Sequence, residues 1–332
     1  MSRLARWRTP IAFAMLILVV LWVGQNGYRQ DLAILMVTYG LISLGLYSHY
    51  IMGNSMSVAY NAYVAIGGYA LGILCVRTDL SMFLALPIGI VISAAVAVLL
   101  GLTTYKLSGF YLAAVTLLFG EAFAAWLVDS TGITGGASGV TLTRELTVFG
   151  SEVTRQHLVI AALATLFLAA WGLDRLRTSP FGIALRAKGD APRAVESSGV
   201  STRALTLVSL GIGAALGAVA GWYFAAVNLS MLPESVPLSV AFVALFIPFL
   251  GGYRSPWGAV VGAVVVTELT FNLTWFQDTG TLAFAVAVLV VLIFARRGLL
   301  GLLGDVLARA AGLVRREGPL PKEGRDHVQP SA

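Results

Sequence analysis

Long apolar runs separated by short polar connections recur along this chain, at about 10–24, 32–52, 55–76, 81–105, 109–128, 157–174, 205–227, 236–252, 257–275 and 280–296. A helix crosses ~30 Å of hydrocarbon with roughly 20 mainly apolar residues, and most of the runs approach that length. The pattern predicts an all-α fold, a polytopic transmembrane helix bundle of about 8–10 spans. The run at 55–76 differs from the rest. It starts polar, with Asn54, Ser55, Ser57 and Asn61, and turns glycine-rich at Gly67, Gly68 and Gly72. That predicts a broken or re-entrant helix, which is tolerated where backbone faces protein or a water-filled cavity. The runs at 236–252 and 280–296 are short, and Pro248 interrupts the first. Gly213, Gly217 and Gly221 recur every four residues, as do Gly258 and Gly262. Such spacing lets helix backbones approach closely in lipid, where apolar burial cannot drive association.

Residues 1–297 therefore form one transmembrane unit. Arg3, Arg6 and Arg8 precede the first run as in a secretory signal peptide, but no small-residue cleavage site follows, so the run is taken as a first helix. Beyond Arg297, the segment 298–316 carries Leu299, Leu303, Val306, Ala310 and Leu313 on one face and Arg309, Arg315 and Arg316 around the other. This predicts an amphipathic helix on an anionic membrane surface. Residues 317–332, with three prolines, read as a disordered tail.

Composition agrees with a chain solvated largely by lipid. Apolar residues make up 58% and Asp, Glu, Lys and Arg only 11%, against about 25% charged in a soluble domain. The net charge of +6 does not form a basic face interleaved with aromatics, so nucleic acid is not an expected partner. Instead the cations sort by side. With the N-terminus inside, the cytoplasmic connections carry Lys106, then Arg175, Arg177, Arg186, Lys188, Arg193 and Arg203, then Arg254, Arg296 and Arg297. The opposite connections hold few. This is the positive-inside pattern, and it predicts that both termini are cytoplasmic. Cys75 is the single cysteine, and His49, His157 and His327 lie far apart, so neither a disulfide nor a metal cluster is expected. Each histidine sits at a span end or in the tail, and none is assigned chemistry. No paired carboxylates or Ser/His/Asp set emerges, and a non-catalytic protein is expected.

The cytoplasmic connection 175–204 is long and written as structure. Ser179-Pro180 offers an N-cap followed by proline at the first helical position. A short helix over Phe181–Lys188 ending at Gly189, then a second over Ala191–Ser198 capped by Asp190 and closed by Gly199, are predicted. Phe181 and Leu185 share one face, and Val195 sits in the second helix. Short capped helices with apolar knobs outside the membrane fit a docking surface for a soluble partner.

The sequence Ser-Pro-Phe-Gly-Ile-Ala-Leu-Arg-Ala at 179–187, continuing to Glu-Ser-Ser-Gly-Val at 196–200, resembles the cytoplasmic coupling loop of permeases in ATP-binding-cassette importers. The closest resemblance is to the branched-chain amino acid (leucine/isoleucine/valine type) permease family. The blocks at 109–121, 134–139, 250–258 and 297–301 resemble that family in the same order. Two places depart from it. Gly53-Asn-Ser-Met-Ser-Val-Ala-Tyr-Asn-Ala-Tyr63 stands where the family has a glycine-rich segment opening Gly-Gln, and Arg193-Ala194-Val195 stands where the wider loop motif has Glu-Ala-Ala.

The resemblance implies a permease subunit that forms a translocation pathway for branched-chain amino acids, or a related small solute, across a bacterial inner membrane. Urea, short amides or aromatic acids are alternative cargo. It also implies two ATP-binding subunits, a homologous second permease, a periplasmic solute-binding protein and a lipid environment. The chain has no Gly-x4-Gly-Lys-Ser/Thr phosphate loop and only three lysines, so no cofactor is expected and ATP is bound by a separate subunit. Phe181, Leu185, Arg186, Glu196 and Gly199 are the expected ATPase-coupling residues. Asn54, Ser57, Asn61, Tyr63, Glu121 and Glu268 are candidate pathway residues. Glu121 and Glu268 fall inside spans, where an acid costs about 2.5–3.5 kcal/mol and faces a bundle interior or a cavity. Either they serve the pathway or they make structural hydrogen bonds, with Thr116, Thr267 or Asn272 as partners. A stand-alone secondary transporter using the two acids for ion coupling is the alternative reading.

Overall fold

The computed structural model describes residues 17, 19–24, 26–78, 81–104, 110–142, 147–148, 151–272, 298–299 and 301. The run at 280–296, the tail 317–332, nearly all of the amphipathic segment and the start of the run at 10–24 lie outside them. Among the described residues six helices are long and apolar enough to cross a membrane, namely Gly27–Ile51, Met82–Thr104, Tyr111–Asp129, Arg155–Thr178, Thr202–Asn228 and Pro233–Gly251. They form the expected all-α polytopic bundle.

Helix α1 (Gly27–Leu46) is capped by the Asn26 side chain, which accepts from the Tyr28 and Arg29 N–H groups, and runs on as a π turn over Tyr47–Ile51. Beyond its first turn, which holds Arg29, Gln30 and Asp31, it is apolar nearly all round, as a buried helix must be. In its most apolar stretch 89% of residues are buried, against 22% for α3 (Met82–Thr104), so α1 forms the centre and α3 the rim. Helices α5 (Arg155–Thr178), α8 (Thr202–Asn228), α9 (Leu238–Gly251) and α10 (Pro256–Asn272) pack around α1. A second buried helix, α2 (Tyr60–Arg77), lies between α8, α3 and α4 (Phe110–Asp129). The expected break is real: residues 54–58 are non-helical, and α2 starts only at Tyr60.

The glycine stripes mark two helix crossings. A methyl group on Gly221 would overlap the Val64 carbonyl of α2, and one on Gly67 would overlap the Ala218 carbonyl of α8. Gly258 and Gly262 stand in the same way against the Gly252 and Ile247 carbonyls, where α10 meets α9. Backbone contact this close requires glycine, and it supplies the packing on which helix association in lipid depends.

Chain direction sorts the connections. α1, α3, α5 and α9 run towards one end of the bundle, and α2, α4, α8 and α10 start from it. The connections near 53, 175–204 and 254, and the ends of α3 and α4 on either side of residues 105–109, therefore share that end, the grouping predicted from the charge pattern. At the other end β1 (Val140–Thr141) pairs antiparallel with β4 (Ser230–Met231), Val140 opposite Met231. A small hairpin of β2 (Thr147–Val148) and β3 (Ser151–Glu152) lies between α4 and α5. The 27 residues of α8 separate the two ends, about 40 Å at 1.5 Å per residue.

Candidate functional site

The cation-rich end is built on two short helices, α6 (Pro180–Asp190) and α7 (Pro192–Ser197). Ser179 Oγ accepts from the Gly182 N–H at 3.2 Å, and Pro180 occupies the first helical position. α7 closes on Gly199, whose φ of +84° suits glycine. The Gly199 N–H donates to Glu196 O at 2.9 Å and the Val200 N–H to Val195 O at 3.4 Å, the bond pair of a Schellman motif. The middle of the loop differs from the prediction. α6 passes through Gly189 to Asp190, and Asp190 caps nothing. Pro192 explains this: the residue before a proline is pushed out of the helical region. Ala191, at φ −143° and ψ 72°, therefore ends one helix and precedes the next.

Phe181, Leu185 and Val195, the knobs that the sequence offered as a docking surface, pack inward instead. Leu185 is 1% exposed and packs in a small core with Tyr47, Met52, Val195 and Leu205, with Phe181 and Ala184 half-buried beside it. Gly53 leaves the room that the Leu185 methyl group fills. These residues bolt the loop to the ends of α1 and α8. The outward face carries Ile183, 54% exposed, with Arg186, Ala187, Ala194 and Glu196. Arg186 braces the turn by donating to Gly182 O and Arg177 O at 3.3 and 3.1 Å. Glu196 accepts from Thr202 Oγ1 at 2.6 Å and ties α7 to α8.

Lys188 reaches into the bundle from α6. Its Nζ donates to Gly53 O at 2.9 Å and to Ser55 Oγ at 2.7 Å, and burial pulls its pKa down to about 8. Beneath it lies the break. Asn54 adopts φ +50°, which asparagine tolerates better than most residues, and its N–H donates to Tyr50 O at 2.9 Å. His49, fully enclosed, places Nδ1 2.6 Å from Ser55 O and Nε2 3.0 Å from the Tyr60 hydroxyl. A carbonyl can only accept, so Nδ1 carries the proton, and in the neutral ring Nε2 accepts from Tyr60. Neither His49 nor Lys188 stood out in the sequence, because their partners become neighbours only in the folded bundle.

The candidate pathway residues separate into groups. Ser57 and Tyr63 are buried in the core, whereas Asn54 is exposed on a cleft of about 490 Å³ that Lys188, Glu196 and Arg203 also line. Asn61 Nδ2 donates to Glu121 Oε1 at 3.3 Å. Asn61 is therefore the partner of this acid, and Thr116 instead accepts from the Val58 N–H at 3.0 Å. Gly120 gives Asn61 its space. Asn61 is buried, but Glu121 is exposed on the outer face of α4. Glu268 is half-buried on α10, away from that pair. Among the described residues no three His, Cys, Asp or Glu side chains converge as metal ligands.

A helical bundle with two buried central helices, an apolar rim and a folded extramembrane loop defines a multi-pass membrane protein. The family model for the branched-chain amino acid transport system permease component matches residues 28–297, and the chain belongs to that family. It is 28% identical to the high-affinity branched-chain amino acid transport system permease protein LivM of Escherichia coli (strain K12), over 92% of this chain and 77% of that protein. The LivM of Salmonella typhimurium (strain LT2) matches at the same identity and coverage. A probable branched-chain amino acid transport permease protein LivH of Methanocaldococcus jannaschii is 25% identical over 77% of this chain and 84% of its own length. No solved structure matches the chain.

Proposed function

We propose that the chain is the permease subunit of an ATP-binding-cassette importer in a bacterial inner membrane. It pairs with a homologous permease, two ATP-binding subunits and a periplasmic solute-binding protein, and both of its termini are cytoplasmic. Its cargo is branched-chain amino acids, the class named for the relatives. The observation that carries this reading is the α6–α7 handle, fastened inward by Leu185 and Val195 and presenting Ile183 outward, at the end where the cations gather. ATP is bound by the separate subunits, whose closure presses on the handle and moves α5 and α8, the helices that flank it.

The exposed carboxylate of Glu121 supports a pathway along the outer face of α4. An ionised acid in hydrocarbon costs about 2.5–3.5 kcal/mol, so this face is turned to the second permease and the solute rather than to lipid. Asn61 holds the acid from behind, while Ser57 and Tyr63 pack the wall.

The test is reconstitution in liposomes with radiolabelled leucine. Uptake is expected only with ATP inside and all partner subunits present. Uptake by this chain alone, driven by an ion gradient, would instead make it a secondary transporter.

A further inference from the structure

We propose that Lys188 is a positioning residue that transmits movement of the coupling helix to the break at 53–59, and from there to the buried junction of α1, α2 and α8. The proposal rests on the permease reading above.

α6 grips the break with two different chemistries. Leu185 fills the space over Gly53, a non-directional contact that persists when the helix slides slightly. Lys188 makes directional bonds, to Gly53 O at 2.9 Å and Ser55 Oγ at 2.7 Å. Gly53 lies just past the end of α1, where backbone carbonyls lose their helical donors, and a lysine ammonium is a suitable cap for such a group.

The bonds continue inward from Ser55. Its N–H donates to His49 O at 2.9 Å and its carbonyl receives His49 Nδ1 at 2.6 Å. The other ring nitrogen meets the Tyr60 hydroxyl at 3.0 Å. Tyr60 abuts Gly45 of α1 and Gly213 of α8, where an added methyl group on either would collide with its hydroxyl. An unbroken series of polar contacts thus runs from a cytoplasmic helix to the place where three membrane helices touch. A shift of Lys188 either breaks its bond to Ser55 or carries Ser55 with it, and a shift of Ser55 takes a buried partner from His49. Leaving a buried polar group unpaired is costly, so the junction has to rearrange with the handle. Two local features suit a segment that switches: the π turn at Tyr47–Ile51 and the left-handed Asn54.

The experiment uses the full importer in liposomes and measures ATP hydrolysis and leucine uptake in the same preparation. Lys188→Met keeps the aliphatic stem and removes the ammonium. Uptake per ATP is expected to fall by about tenfold, within the usual range of coupling between sites, while the hydrolysis rate and subunit assembly stay normal. Lys188→Arg restores the donors and recovers most of the ratio. Ser55→Ala, which removes one acceptor, lowers the ratio less. A wild-type ratio in Lys188→Met, or uptake and hydrolysis falling together with the ratio intact, would overturn the proposal. If Lys188→Met fails to assemble, Ser55→Ala decides, and a normal ratio there overturns it. Absence of ATP-driven uptake in the wild-type complex would be a different failure, that of the permease reading itself.

Discussion

At one end of α8 backbone does the fastening, and at the other end side chains do. Where α8 finishes, β4 pairs with β1, the Leu142 N–H donates to Leu229 O at 2.8 Å, and Gly139 turns at φ +64° against Met231. Where α8 begins, the handle is held by Leu185 and Val195 in a small apolar core, by Lys188 on the break and by Glu196 on Thr202. Backbone pairing fixes a position whatever side chains surround it. A side-chain attachment is selective and can be loosened one contact at a time. A transporter that is pushed from one side needs its movable parts at that side and a firm closure at the other.

The largest expected effect comes from Leu185→Glu, which places a charge in the apolar core under the handle. Breaking a buried site in this way costs several kcal/mol. Membrane insertion should remain normal by fractionation while ATP-driven uptake is lost. Next is Ile183→Asp on the outward face. It should leave the thermal midpoint unchanged and weaken capture of the ATP-binding subunits by about tenfold, the scale of a single interface anchor. At the opposite end Gly139→Ala forces an alanine into the left-handed region and towards the Met231 carbonyl. The backbone strain alone should cost about 1–3 kcal/mol, with the carbonyl overlap added to it, read as a lower thermal midpoint with uptake per ATP unaltered. Loss of coupling in that variant would erase the contrast between the two ends.

The smallest effect is the pH dependence of stability at Lys188. Its folded pKa, about 8, lies below the ordinary 10.5, so between these values the unfolded chain binds more protons. Stability from this group therefore rises with pH across that window, and the burial penalty is fully present below it. Partial exposure keeps the change small. The midpoint of wild type relative to Lys188→Met should increase slightly as pH is raised from about 7 to about 9.5, and a decrease would contradict the assignment.

Much of this arrangement was legible in the sequence, for identifiable reasons. Cation counts in the connections 175–204 and 254, with the alternation of spans for the connection near 53, placed these at one end, because charge bias acts on whole connections and needs no packing detail. The Gly213, Gly217 and Gly221 stripe indicated a close helix crossing, since little else brings helices together in lipid. Ser179-Pro180 and Gly199 bounded the handle correctly because caps are local. The direction of Phe181 and Leu185 was misread, although the helical period put Ile183 and Ala187 opposite them. Asp190 was misassigned because Pro192 outweighed it. The Lys188–Ser55–His49–Tyr60 series and the Asn61–Glu121 pair were out of reach, since their partners are far apart along the chain or separated by a break that changes helical phase.

Accessibility of the handle is the most direct test of the account. With Cys75 replaced by serine, Ile183→Cys supplies one thiol on the outward face of α6 for a membrane-impermeant maleimide. Labelling is expected only in inside-out vesicles, and it should be suppressed once the ATP-binding subunits are assembled. Labelling of intact cells from outside, or labelling that those subunits do not reduce, would contradict a cytoplasmic handle gripped by the ATPase.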